Sequence, residues 1–158
     1  MNSAYSTGAS FPKPSGPSDV SMITAPFGGL GQEGITIGIG IWQGGYVTGQ
    51  SPGPKGALPD ATIKYRADGS QEWVARYDST DDRSAWVHGL VLDGDGAAYV
   101  TGAAPRPGGY DFVTIKYRPD GAVDWLSHYD GQDSGGWGLD ITLGPNAGIY
   151  VSGASDPI

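Results

Sequence analysis

The residues of this chain whose types and spacing could do chemistry are carboxylates at the ends of β-like segments. Asp78 and Asp81 close one such segment, and Asp130 and Asp133 close another 52 residues later. Loops rich in closely spaced carboxylates can hold Ca2+, a hard cation that prefers oxygen ligands. These four residues are therefore the candidate calcium ligands, and calcium is the one cofactor considered. The same side chains can also close Asx turns and cap loop amides with no ion present. The turn Asp93-Gly94-Asp95-Gly96 lacks the ligand series and terminal Glu of an EF-hand loop. Its counterpart at 144–148, GPNAG, keeps the turn residues and loses both carboxylates, which argues for a hairpin turn over a metal site.

The two histidines offer less. His88 and His128 fall in different β-like segments, and neither recurs in the neighbouring copy of its segment. His128 shares a strand face with Asp130, yet no nucleophile stands beside them and no G-x-S-x-G elbow exists. Two histidines do not make a zinc-site spacing. With no cysteine, the chain has no disulfide, thiolate nucleophile or cysteine-held metal. Lys64, Arg66, Lys116 and Arg118 recur on one strand face, where nearby acidic residues account for them as ion pairs. GITIGIGI (35–41 with its leading Gly34) lacks the G-K-[ST] of a phosphate loop and opens no helix. Trp42 could stack on a sugar ring, though a Trp in a Gly-rich β repeat serves equally as core. The sequence thus presents no convergent acid, base and binding group, and no enzyme is expected.

The elements that carry these residues are written as a repeat. TIKYRADGSQEW (62–73) returns as TIKYRPDGAVDW (114–125), with eight of twelve positions identical. Tyr46-Val47-Thr48-Gly49, Tyr99-Val100-Thr101-Gly102 and Tyr150-Val151-Ser152-Gly153 form a second register, and Trp73/Trp125, Tyr77/Tyr129 and Tyr65/Tyr117 follow the first. A period near 50 containing several short β segments is the range of propeller blades. One full repeat reads as AWVHGLVL (85–92), the turn DGDG, AAYVTGA (97–103), a Pro/Gly-rich loop APRPGG, DFVTIKYR (111–118), the turn PDG, and VDWLSHY (123–129). Alternation in the last strand puts Trp73, Ala75 and Tyr77 on one face, matched by Trp125, Ser127 and Tyr129. Such a face is what packing between stacked sheets requires.

The pattern D-x-x-TIKY-x-x-DG-x-x-x-W, followed by Y-D, an apolar strand and YVTG, resembles the bacterial SBBP-type β-propeller repeat over residues 34–158. The resemblance implies a blade of an extracytoplasmic or cell-surface protein, with shared positions that are structural and not catalytic. Trp73, Tyr77, Trp125, Tyr129, Tyr65, Tyr117, Gly49, Gly102 and Gly153 are the structural positions it marks. A degraded copy opens the chain: Ala4–Ala9 echoes Ala98–Ala103, and Asp19-Val20-Ser21-Met22-Ile23 falls where Asp111–Ile115 falls. Its spacing to the next YVTG is short by a strand and its turn, so the first copy has lost its fourth strand.

The expected architecture is all-β and propeller-like, about three four-stranded blades with the first degenerate and the ring incomplete. Residues 1–33 form a degenerate partial blade, 34–84 and 85–130 blade repeats, and 131–158 a partial blade. The 28 Gly and 12 Pro then serve turns and close backbone contacts. A formal charge of −8 offers no basic patch for nucleic acid. No apolar run is long enough to span a membrane. The N-terminus shows neither the basic nor the apolar region of a signal peptide. Three blades leave flat faces and strand edges open. The expected resolutions are a dimeric ring, a head-to-tail assembly, or membership in a longer chain. The expected role is a non-enzymatic interaction module that self-assembles through incomplete terminal blades, with a calcium- or glycan-binding propeller as the alternative.

Overall fold

The computed structural model describes residues 35–40, 44–50, 60–77, 84–129 and 135–155, and these are all-β, in three antiparallel sheets. The first sheet has the order β1 (Ile35–Gly40), β2 (Gly44–Gln50), β3 (Asp60–Tyr65), β4 (Gln71–Tyr77). The second repeats it with β5 (Trp86–Leu92), β6 (Ala98–Arg106), β7 (Gly109–Tyr117) and β8 (Val123–Tyr129). The third pairs β9 (Gly136–Leu143) with β10 (Ile149–Ser155).

Local chemistry fixes the hairpins. In both Asp-Gly turns the glycine takes a positive φ, +83° at Gly69 and +87° at Gly121, which L side chains avoid. The preceding Asp caps the turn: Asp68 Oδ1 accepts from the Ser70 amide at 2.8 Å and Asp120 Oδ1 from the Ala122 amide at 3.0 Å. Asp93 does the same for the β5–β6 turn, accepting from the amides of Asp95 and Ala97 and from the Tyr99 hydroxyl. The Pro/Gly-rich stretch expected as a loop is mostly strand. Pairing continues through Pro105↔Tyr110 and Arg106↔Gly109, and only Pro107 and Gly108 turn. Pro fixes one corner of that turn and Gly108, at φ +91°, supplies the other.

In the second and third copies of Tyr-Val-[Thr/Ser]-Gly the glycine has a specific cause. A bulge interrupts β5 between Val87 and Gly89, and the pairing of β9 with β10 slips at the matching place, between Ser152 and Gly153. The bulged strand pushes a carbonyl against its neighbour. A Cβ on Gly102 would lie 1.8 Å from the Trp86 carbonyl oxygen, and one on Gly153 would lie 2.2 Å from that of Trp137. Only glycine fits there.

The sheets pack face to face in chain order. Between the first and second lie Tyr46, Val87, Ala98, Val100, Val113, Ile115 and Tyr117, with Trp73, Ala75 and Tyr77 against them. Between the second and third lie Ala97, Tyr99 and Ile141, joined by Trp125 and Val151. The first strands β1, β5 and β9 neighbour one another in succession. Buried hydroxyl pairs bind the second and third strands of each complete sheet: Thr48 to Thr62 at 2.9 Å and Thr101 to Thr114 at 3.3 Å.

Asp60 and Asp111 are not equivalent positions, because Asp60 stands one residue nearer its TIKY. Asp60 pairs with Tyr77, whereas Phe112 pairs with Tyr129, so Asp60 occupies the Phe112 position. A one-residue step along a strand reverses the face. Asp60 therefore points into the joint between the first two sheets, while Asp111 meets Arg106 at 2.5 Å.

Candidate assembly surface

The joint between the first and second sheets shows what a completed contact looks like. Tyr46, Lys64 and Trp73 come from adjacent strands and point at two turns of the second sheet. The Tyr46 hydroxyl donates to the Gly96 carbonyl at 2.8 Å. Trp73 Nε1 donates to the Pro119 carbonyl at 2.9 Å, and Lys64 Nζ donates to the same oxygen at 3.1 Å. Lys64 is only 8% exposed, yet its charge is answered by Glu72 at 3.3 Å and by the face of the Tyr46 ring. Trp73 meets Tyr46 edge-on, with centroids 5.6 Å apart, and lies against the ring of Tyr117. A Cβ on Gly121 would come within 2.7 Å of the Trp73 ring, so the Asp-Gly turn of one sheet is seated on the tryptophan of the one before.

The second sheet carries the same constellation toward the third. Lys116 pairs with Asp124 at 3.0 Å and lies over Tyr99, whose ring is 6.1 Å from Trp125. The hydrogen bond that Lys116 donates to Asp124, joined by that with Tyr99, holds its ammonium above its usual range. Here the joint is half made. The third sheet has two described strands, and among the described residues no third or fourth strand faces Trp125 and Tyr129. The outer edge of β10 pairs with nothing among the described residues. Beside that edge lies a groove of about 370 Å3 lined by Phe112, Tyr129, Val151, Gly153, Ala154 and Ser155. Phe112 and Tyr129 meet edge-on at 6.2 Å, and Tyr129 is 61% exposed. Tyr150, the third-sheet counterpart of Tyr46 and Tyr99, is 60% exposed, whereas those two are buried.

The remaining sequence candidates distribute as follows. Asp78, Asp81, Asp130 and Asp133 lie outside the described residues, as do Trp42 and the segment 1–33. Among the described residues no three His, Cys, Asp or Glu side chains converge to hold a metal ion. Gly49 lies in β2, and Tyr65 packs with Val47 and Ile63 on the opposite face of the first sheet from Trp73. Tyr117 is buried under Trp73, and burial pushes its phenol up to about 12. His88 is the bulge residue of β5 and meets the Gly138 carbonyl at 2.7 Å. His128 lies 3.8 Å from Asp111. Lys64, Lys116 and Arg118 each meet an acidic neighbour, with Arg118 3.5 Å from Asp120.

Sequence reasoning missed Asp60. It is 6% exposed, one carboxylate oxygen has no hydrogen-bond partner among the described residues, and burial raises its pKa to about 7. A cavity of about 10 Å3, about enough for one water, lies beside it among Thr62, Tyr77, Val100 and Tyr117. Among the described residues no helix is long and apolar enough to cross a membrane. Neither a family model nor a curated protein matches the chain.

Proposed function

We propose that this chain is a non-enzymatic, propeller-like interaction module that assembles with copies of itself through an incomplete terminal sheet. The observation that carries the reading is the edge of β10, unpaired among the described residues, beside the apolar groove of Phe112 and Tyr129. An unpaired strand edge flanked by exposed aromatic surface is a template for another strand. The propeller-like arrangement is supported by two successive four-stranded sheets with the same order, and by first strands that neighbour one another from sheet to sheet. Resemblance to SBBP-type repeats supports a setting at or outside a bacterial cell surface.

The test is solution mass by light scattering over a wide range of protein concentration. The reading expects masses above that of the 16.3 kDa chain, approaching a discrete ring or growing with concentration. A 16.3 kDa species at every concentration overturns it.

A further inference from the structure

Resting on that reading, we infer that the edge of β10 accepts residues 19–23 of a second copy of this chain as an antiparallel third strand, with Ser21 opposite Ser152. The hydroxyl ladder points to this segment, exchanged between copies from the chain's own Tyr5-Ser6-Thr7-Gly8, in which Thr7 holds the sequence place of Thr48. In both complete sheets the third residue of Tyr-Val-Thr-Gly faces a threonine of the third strand, Thr48 with Thr62 and Thr101 with Thr114. Ser152 holds the same place in β10, one residue before Gly153, and is exposed where Thr48 and Thr101 are buried. The segment Asp19-Val20-Ser21-Met22 matches Asp60-Ala61-Thr62-Ile63 in type and spacing. Ser21 meets the hydroxyl ladder only in this alignment and not in the one set by Asp111, since Asp60 and Asp111 differ by one register step.

The register also satisfies the groove. Val20 falls opposite Gly153 and Met22 opposite Val151, as Val113 falls opposite Gly102 and Ile115 opposite Val100. Val113 and Ile115 turn toward the preceding sheet and are buried there. Val20 and Met22 would turn the same way, onto Phe112 and Tyr129, while Ser21 completes the hydroxyl pair. The alternative register would direct Asp19, Ser21 and Ile23 into the groove, burying a carboxylate against aromatic rings.

The natural chain has no cysteine, so engineered thiols report on this pair alone. Ser21→Cys and Ser152→Cys are made separately, checked for unchanged circular dichroism and melting, mixed and mildly oxidised. Facing residues of adjacent strands sit within disulfide reach. The mixture should give a disulfide-linked pair that neither variant forms alone, and the double variant should give a ladder of linked chains. Pairing of Met22→Cys with Ser152→Cys in preference to Ser21→Cys overturns the register, because the alignment set by Asp111 puts Met22 opposite Ser152. A double variant that closes only within one chain overturns the second copy as occupant. If the mixture gives no link while scattering still shows assembly, the proposed segment is wrong and the assembly reading stands. If scattering shows only single chains, the assembly reading falls, and this inference with it.

Discussion

Trp73 joins two sheets by three separate means: a hydrogen bond to the Pro119 carbonyl, ring contacts with Tyr46 and Tyr117, and a seat for the turn at Gly121. The means can be separated by substitution. Trp73→Phe keeps most of the ring and loses the donor, and should lower stability by about 1 kcal/mol. Trp73→Ala removes the ring as well. Because the side chain is only half-buried, the expected loss is about 2 kcal/mol, below the range for a fully buried tryptophan. Urea denaturation of the two variants gives both values, and equal losses would show that the ring contributes nothing. Gly102 is a second residue whose effect can be read from its surroundings. A methyl group at Gly102 must displace the Trp86 carbonyl, so Gly102→Ala should cost about 3 kcal/mol. Gly94 has open space around its missing side chain, and Gly94→Ala should leave the urea midpoint nearly unchanged.

At the scale of elements, the strands and turns were legible because their signals are local. Alternation along β4 and β8, and the Asp-Gly pairs before them, depend on neighbouring residues alone. The recurring Tyr, Trp and Lys of the joint were legible as a pattern, since one contact is made again at each sheet. The pairing of Lys64 with Glu72 followed from neighbouring acidic residues, but its burial did not, because the carbonyl that makes burial tolerable belongs to a turn 55 residues away. Asp60 was the least legible. A shift of one residue within a well-matched repeat decides whether a carboxylate meets an arginine or an apolar joint, and side-chain type alone does not reveal it. Its placement has a consequence for pH. The folded state raises its pKa from the ordinary 3.8 to about 7, so the folded chain holds this proton more tightly than the unfolded chain. The stability it gives is full below about pH 4 and falls as pH rises through about 7, by about 4 kcal/mol at most. Asp68 and Asp120 are held below the ordinary range by hydrogen bonds to Ser70 and Ala122, and so act only in more acidic solution. Melting temperature should therefore fall between about pH 5 and about pH 8. Asp60→Asn should flatten that slope and melt above the natural chain at the alkaline end. A natural chain that melts higher at the alkaline end would remove Asp60 as the controlling group.

For the whole molecule, net charge and the open edge pull in opposite directions. Each chain carries a formal charge of −8, so two copies approaching one another repel at long range. The surface that β10 offers holds no Asp, Glu, His, Lys or Arg, in the strand or in the groove of Phe112 and Tyr129, and the incoming segment 19–23 brings one carboxylate, Asp19. Closing such a contact buries apolar area and completes backbone pairs, and neither gain is screened by salt. The repulsion is screened, with a Debye length that shortens from about 30 Å at about 0.01 M salt to about 8 Å at about 0.15 M. Self-association should therefore strengthen as salt is added, the reverse of an interface held by opposite charges. Sedimentation velocity across that salt range measures it, and weaker association at higher salt would assign the contact to charged loops instead. The chain can also be made to carry its own edge protection. Ser152→Lys places a cation on the unpaired strand, the device by which natural sheet edges resist pairing. That variant should stay a single chain at every salt concentration and melt within a degree or so of the natural protein's unassembled form, because Ser152 is already exposed to solvent. Persistent assembly of Ser152→Lys would mean that copies meet somewhere other than β10.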